Sequence, residues 1–180
     1  MTNDSTEDEP RRLGEIDENF RSGFVAVIGR PNVGKSTLVN KILDEKITIV
    51  SNKAQTTRHQ IRGVLTEAGS QIVFVDTPGI GKPRSALGSH LNEVASGAMA
   101  DVDVVCLVVD GRSGFGRGDR MLAEKVDPAK TVLVVNQIDG LEREKVLAQL
   151  TAVAEFDFSA YFPVSAWTGR GVDALVDHLR

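Results

Sequence analysis

Gly29-Arg30-Pro31-Asn32-Val33-Gly34-Lys35-Ser36 is the stretch on which the reading of this chain turns. The apolar run Phe24-Val25-Ala26-Val27-Ile28 precedes it, and the helix-like Thr37-Leu38-Val39-Asn40-Lys41-Ile42 follows. Two glycines, a lysine and a hydroxyl at this spacing, between a strand and a helix, fit the Walker A pattern. Glycine lets the backbone close around phosphate oxygens. The N–H groups of Asn32, Val33, Gly34, Lys35, Ser36 and Thr37 then point inward at a helix N-terminus, whose dipole favours anions. Lys35 adds a point charge beside the β- and γ-phosphates, and the Ser36 hydroxyl is a hard oxygen ligand suited to Mg2+. At ordinary residue usage the pattern arises by chance in roughly one chain in a hundred or fewer. A glycine turn with a solvated lysine is therefore the weaker reading.

Outward from this loop, short apolar runs alternate with amphipathic segments. Strand-like runs are Phe24–Ile28, Ile72–Val75, Val102–Val109, Thr131–Val135 and Tyr161–Val164, with Ile61–Thr66 a weaker sixth. Continuous apolar runs of this length suit parallel strands covered on both faces. Helix-like stretches are Lys35–Leu43, Ser85–Ala100, Gly118–Val126, Glu142–Ala154 and Val172–Arg180. The alternation predicts an α/β fold, a mostly parallel six-stranded sheet with helices on both faces, and ligands bound at the carboxyl ends of the strands.

Three further boxes fall at such strand ends, in order. Asp76-Thr77-Pro78-Gly79 follows Ile72–Val75. Asp76 there holds Mg2+ through a water, completing the Ser36 site, and Gly79 offers an N–H to a γ-phosphate. Alone, this tetrapeptide reads as a β-turn. Asn136-Gln137-Ile138-Asp139 follows Thr131–Val135. Alone it is a solvated turn. At this place Asp139 suits guanine, whose N1–H and 2-amino group both donate, whereas adenine would leave a carboxylate unpaired. Ser165-Ala166 follows Tyr161–Val164, where a backbone N–H meets a 6-oxo group, and Trp167, the single tryptophan, lies next to that base site as an optical reporter.

The bulk numbers set bounds. A chain of 180 residues is expected to form one domain with a sizeable core. No run is long and apolar enough to span a membrane and no basic-then-apolar leader opens the chain, so a cytoplasmic protein is expected. Peripheral membrane association leaves no readable signal. Cys106, the single cysteine, lies in an apolar run and reads as a buried structural thiol. His59, His90 and His178 offer no metal-ligand spacing. Residues 1–19 hold seven acidic and two basic side chains, −5 of a total of −4, which leaves the body at +1. That polar stretch is expected to be a disordered, solvated acidic tail, with residues 20–180 as the domain. A near-neutral body gives no basic stripe for nucleic acid.

The boxes resemble those of translation-factor-type GTPases and, within that class, the Era family of bacterial ribosome-assembly GTPases. The residues that carry this are Gly29–Ser36, then Ser51-Asn52-Lys53-Ala54-Gln55-Thr56-Thr57-Arg58-His59, then Asp76–Ile80, with Lys82-Pro83, Leu87 and Leu91-Asn92. The double-GTPase Der family shares the first box but differs at Gln55-Thr56-Thr57-Arg58. The resemblance implies GTP and GDP as ligands, and Thr57 as the switch threonine that closes onto Mg2+ and the γ-phosphate, with Thr56 second. It also implies a K+ site at Asn32, because an aliphatic Ile80 stands where many GTPases keep a water-orienting glutamine. Asn32 then joins Lys35 and Thr57 in catalysis; its other reading is a simple turn cap.

Two departures from the family pattern carry expectations. Era proteins have lysine at the position of Gln137, whose stem packs over the purine and ties to the phosphate loop. The shorter, uncharged glutamine is expected to lower affinity without changing guanine selection. Era proteins also carry a KH domain that binds the 3′ region of small-subunit ribosomal RNA. The chain stops within a helix-like segment, so an isolated GTPase domain without tight RNA binding of its own is expected. The leading function is a slowly GTP-hydrolysing switch with an implied role in small-subunit assembly. The alternative is a nucleotide-gated binding module with negligible hydrolysis. A P-loop ATPase or small kinase explains the first box but not Asp139 or Ser165-Ala166.

Overall fold

The structure, a computed structural model, describes residues 20–44, 60–76 and 102–180. Among these the chain runs β1 (Arg21–Ile28), α1 (Lys35–Asp44), β2 (Gln60–Thr66), β3 (Ser70–Asp76), β4 (Val104–Asp110), α2 (Arg117–Ala123), β5 (Thr131–Asn136), α3 (Arg143–Val153), β6 (Ala160–Pro163) and α4 (Val172–Leu179). Short 3-10 helices lie at Pro128–Lys130 and Ala154–Phe156. The strands form one six-stranded sheet in the order β2-β3-β1-β4-β5-β6. β2 pairs antiparallel with β3, and every other pairing is parallel. The expected α/β sheet is therefore present.

Side-chain alternation explains why these strands read as unbroken apolar runs. Val25, Val27, Cys106, Val108, Val132 and Val134 face one core, with Leu38, Val39 and Ile42 of α1 and Leu175 and Val176 of α4. Ala26, Ile28, Val105, Leu107, Val109, Leu133 and Val135 face the other, with Leu122 and Ala123 of α2 and Val153 of α3. With two faces covered, both parities of each strand are apolar. Leu107 and Leu133 are wholly buried at the centre, where truncation to alanine costs about 2–5 kcal/mol. Cys106 is buried, as expected, and burial pushes its thiol up to about 12.

Some boundaries differ from the expected ones for physical reasons. β1 begins at Arg21, ahead of the apolar run, because Arg21 and Ser22 register with Ser70 and Gln71 of β3. Backbone pairing there outlasts side-chain burial. The weak run Ile61–Thr66 is an edge strand whose register shifts between Ile61 and Gly63, and Ile61 and Arg62 are exposed. Exposure at an edge dilutes the apolar signal. β4 begins at Val104 because the chain bends at Asp103, whose N–H is held by Phe24 O at 3.0 Å. The expected helix Gly118–Val126 runs instead over Arg117–Ala123 and closes through Glu124 N to Arg120 O. The expected helix Ser85–Ala100 lies outside the described residues. No helix among the described residues is long and apolar enough to cross a membrane.

Candidate nucleotide site

All five parallel strands end on one edge of the sheet, and the loops leaving β1, β4, β5 and β6 meet there. The loop after β1 turns sharply. Asn32 has φ 66° and Gly34 φ 91°. A Cβ on Gly34 would stand 2.4 Å from Asn136 Nδ2, so only glycine permits this approach of loop to strand end. Asparagine tolerates the left-handed region better than most residues, which gives Asn32 a conformational reason of its own. Lys35 opens α1 and its Nζ bridges the loop, donating to Gly29 O and Arg30 O at 2.8 Å each. Val33 is buried, whereas Ser36 and Thr37 are exposed at the helix start. Ser36 Oγ accepts from Arg62 Nη1 at 2.8 Å, and a hydroxyl keeps a second lone pair for a hard cation.

Asn136 is the keystone of this edge. It is buried at the end of β5, and its Nδ2 donates to Val33 O at 2.9 Å while its Oδ1 accepts from Ala166 N at 2.9 Å. One amide thus joins the phosphate loop, β5 and the loop after β6. Gln137 has φ 63° and its Nε2 donates to Asn32 O at 3.0 Å. The glutamine thus ties to the phosphate loop despite its shorter side chain.

Asp139 stands beside these groups. Its Oδ1 accepts from Ser165 Oγ at 2.8 Å and its Oδ2 from Arg112 Nη2 at 2.7 Å. The Ser165 hydroxyl is the main cause that holds its carboxyl below the usual carboxylate range; desolvation opposes it, and the Asp139 backbone N–H and then the Arg112 guanidinium add smaller lowering effects. Gly34, Thr37, Arg112, Gln137, Asp139 and Trp167 line a cavity of about 340 Å³. Trp167 is 82% exposed at its rim.

Two features of this edge escaped the sequence reading. Arg30, inside the phosphate loop, pairs with Asp119 of α2, Nε to Oδ1 at 2.8 Å. Asp119 is fully buried, and its other oxygen accepts from Gly116 N at 2.9 Å. The one local signal was an acid in the first turn of a helix opened by Gly116. The second feature is Arg112, which carried no motif. Of the remaining sequence candidates, Thr57 and Gly79 lie outside the described residues. Asp76 ends β3, in register with Val27 next to the phosphate loop. No cluster of acids, histidines or cysteines able to hold a metal occurs among the described residues.

The donor set fits a purine nucleotide. The loop supplies backbone N–H groups and a lysine at a helix start, the cavity supplies room for a base, and an ionised carboxylate faces it. The Ser36 hydroxyl fits one position of a magnesium shell.

A family model described as a 50S ribosome-binding GTPase matches residues 24–137. Era in complex with MgGDPNP and nucleotides 1506–1542 of 16S ribosomal RNA aligns with TM-score 0.74 at 33% identity, covering 89% of this chain and 56% of that one. Aquifex aeolicus Era bound to GDP and AlF4− aligns with TM-score 0.72 at 34% identity, covering 88% and 56%. The G domain of the T. maritima FeoB iron transporter aligns with TM-score 0.61 at 25% identity, covering 87% and 95%. The chain spans a little over half the length of the Era structures.

Proposed function

The chain belongs to the 50S ribosome-binding GTPase family, and on that premise we propose a guanine-nucleotide site with an assigned role for each group. Residues 32–37 hold the phosphates, Asn136 locks the loops, Asp139 selects guanine and the Ala166 region meets the 6-oxo group. Ser36, Asp76 and Thr57 hold Mg2+, which, when bound, offsets charge on the β- and γ-phosphates. Lys35 and the loop amides stabilise charge that develops as the terminal phosphate is transferred. Hydrolysis is slow, because the aliphatic Ile80 cannot orient a water by hydrogen bonding. Turnover depends on potassium through Asn32; equal rates in potassium and sodium at matched ionic strength would remove that part.

The observation that carries the guanine assignment is the pair of contacts on Asp139, which keep an ionised carboxylate at the wall of the cavity. The test is a titration with MgGTP, MgATP and magnesium xanthosine triphosphate, read through Trp167 fluorescence. The parent should prefer GTP. Asp139→Asn should weaken GTP by about 100-fold or more and improve the xanthine nucleotide, whose 2-oxo group accepts. Unchanged GTP affinity in Asp139→Asn would refute the assignment.

The role in the cell is proposed as a switch in small ribosomal subunit assembly. Support comes from the likeness to Era, one structure of which holds 16S ribosomal RNA. Residues 20–180 act as the GTPase domain and leave RNA contact to other segments, since they carry +1 beside an acidic stretch of −5. Sub-micromolar, salt-resistant binding of a small-subunit 3′-end oligonucleotide by this chain would overturn that division.

A further inference from the structure

Arg112 sits two residues beyond β4, in a turn that the neighbouring strand fixes. Gly111 N donates to Asn136 O at 2.7 Å, Gly111 O accepts from Gln149 Nε2, and Arg112 N donates to Asp110 Oδ1 at 2.8 Å. The backbone under Arg112 is thereby tied to β5 and α3, and the side chain crosses to Asp139. It arrives with one nitrogen on one oxygen, Nη2 to Oδ2 at 2.7 Å, rather than as a fork that would take both oxygens. Ser165 takes the other oxygen, its Oγ donating to Oδ1 at 2.8 Å.

A carboxylate offers about four acceptor positions, two on each oxygen. Ser165 and Arg112 hold one oxygen each, and the Asp139 backbone N–H also bonds the carboxylate. A guanine edge, with its N1–H and 2-amino donors, takes acceptor positions that these contacts leave open. We propose that Arg112 is a positioning residue for guanine recognition, clamping Asp139 against Ser165 so that the remaining acceptor positions of the carboxylate face the base. This rests on the reading of Asp139 given above. Arg112 also adds positive charge beside the acid, in the direction that keeps it ionised. Its side chain is more than half exposed, so the contribution is modest and weakens with salt.

The experiment measures MgGDP affinity by calorimetry on the 180-residue chain, for the parent, Arg112→Ala, Arg112→Lys, Asp139→Asn and the Arg112→Ala/Asp139→Asn pair. The Asp139 carboxyl is also titrated by carbon NMR in the parent and in Arg112→Ala. Arg112→Ala should weaken GDP about two- to fivefold, the size of an exposed charged pair. Arg112→Lys should recover part of that. The carboxyl should titrate higher in Arg112→Ala, and in the Asp139→Asn background the arginine change should have no further effect. Tighter GDP binding by Arg112→Ala would mean that the guanidinium competes with guanine, and would overturn the clamp. So would unchanged affinity with an unchanged titration. Loss of GDP binding in Asp139→Asn without any effect of Arg112→Ala would sink the clamp alone. Full binding by Asp139→Asn would sink the guanine assignment and the clamp together.

Discussion

The two ends of the sheet differ in a way that cavity size does not reveal. The larger cleft, about 560 Å³, lies at the amino end, lined by Phe20, Arg21, Phe24, Asp103 and Arg180 among others. The site at the carboxyl end is smaller. Its walls, however, are joined by side-chain bonds between residues far apart in sequence: Asn136 to Val33, Gln137 to Asn32 and Arg30 to Asp119. At the amino end Phe24 N donates to the exposed Asp103 Oδ2, and Arg180 pairs with Glu67, but no lysine, glycine loop or helix start faces the cleft there among the described residues. Convergent polar bonds between loops mark the place where geometry must be held, and an open cleft does not. Nucleotide chemistry needs preorganised donors, and the carboxyl end supplies them in the phosphate loop and Lys35.

The comparison breaks first at Asn136. Asn136→Ala removes two bonds and strands Val33 O and Ala166 N in a buried place. Each stranded group costs about 1–3 kcal/mol. Urea denaturation should show a loss of about 3 kcal/mol, and guanine-nucleotide binding should vanish from fluorescence titration. A loss under 1 kcal/mol would mean that the carboxyl edge is not locked by this residue.

Asp119→Ala comes next, at about 2–3 kcal/mol. Breaking a buried pair is costly because a charge is left behind. Here the partner Arg30 is 34% exposed and keeps some water, which reduces the penalty. The helix also loses the contact to Gly116 N. Because Arg30 belongs to the phosphate loop, nucleotide affinity should fall together with stability. A stability loss with unchanged GDP affinity would separate the pair from the site and make it purely structural.

These two residues show what the sequence can and cannot carry. The parallel strands were legible because a strand covered on both faces has no polar parity, as in Val104–Asp110. The phosphate loop and Asp139 were legible because fixed spacing and fixed strand ends define them. The Arg30–Asp119 pair joins positions 89 residues apart, and the Arg112–Asp139 pair 27. No local period links such residues, and only the strand order brings their loops together. The same order explains why Gln137 still reaches the phosphate loop. The chain approaches closely enough at φ 63° for a glutamine to span the gap.

Acid sharpens the comparison further. Asp139 has a folded-state pKa below its ordinary value, with the Ser165 hydroxyl the largest cause. Its ionised form is thus favoured by the fold. That contribution is complete above the ordinary carboxylate pKa of about 3.9 and is lost as pH falls through the lower folded value. Ser165→Ala should raise the folded value, so that guanine-nucleotide binding fails at a higher pH than in the parent. An acid limb that does not move in Ser165→Ala would assign the depression to other groups.

The smallest effect belongs to the amino end. Asp103 is exposed, and its carboxylate accepts the Phe24 N–H at 2.8 Å where the chain bends before β4. Its own N–H is held by Phe24 O at 3.0 Å, a backbone bond that survives any side-chain change. In Asp103→Ala, water reaches the exposed Phe24 N–H and replaces the lost acceptor. The net cost of such an exchange is about 0.5 kcal/mol. GDP affinity should not change, because among the described residues no polar bond connects Asp103 to the loops that line the nucleotide cavity. Paired urea curves and GDP titrations of Asp103→Ala and Asp119→Ala test this directly, one acid from each end of the sheet. If Asp103→Ala cost as much as Asp119→Ala, or altered GDP affinity, the two ends would be coupled through β1 and β4, and the contrast between them would fail.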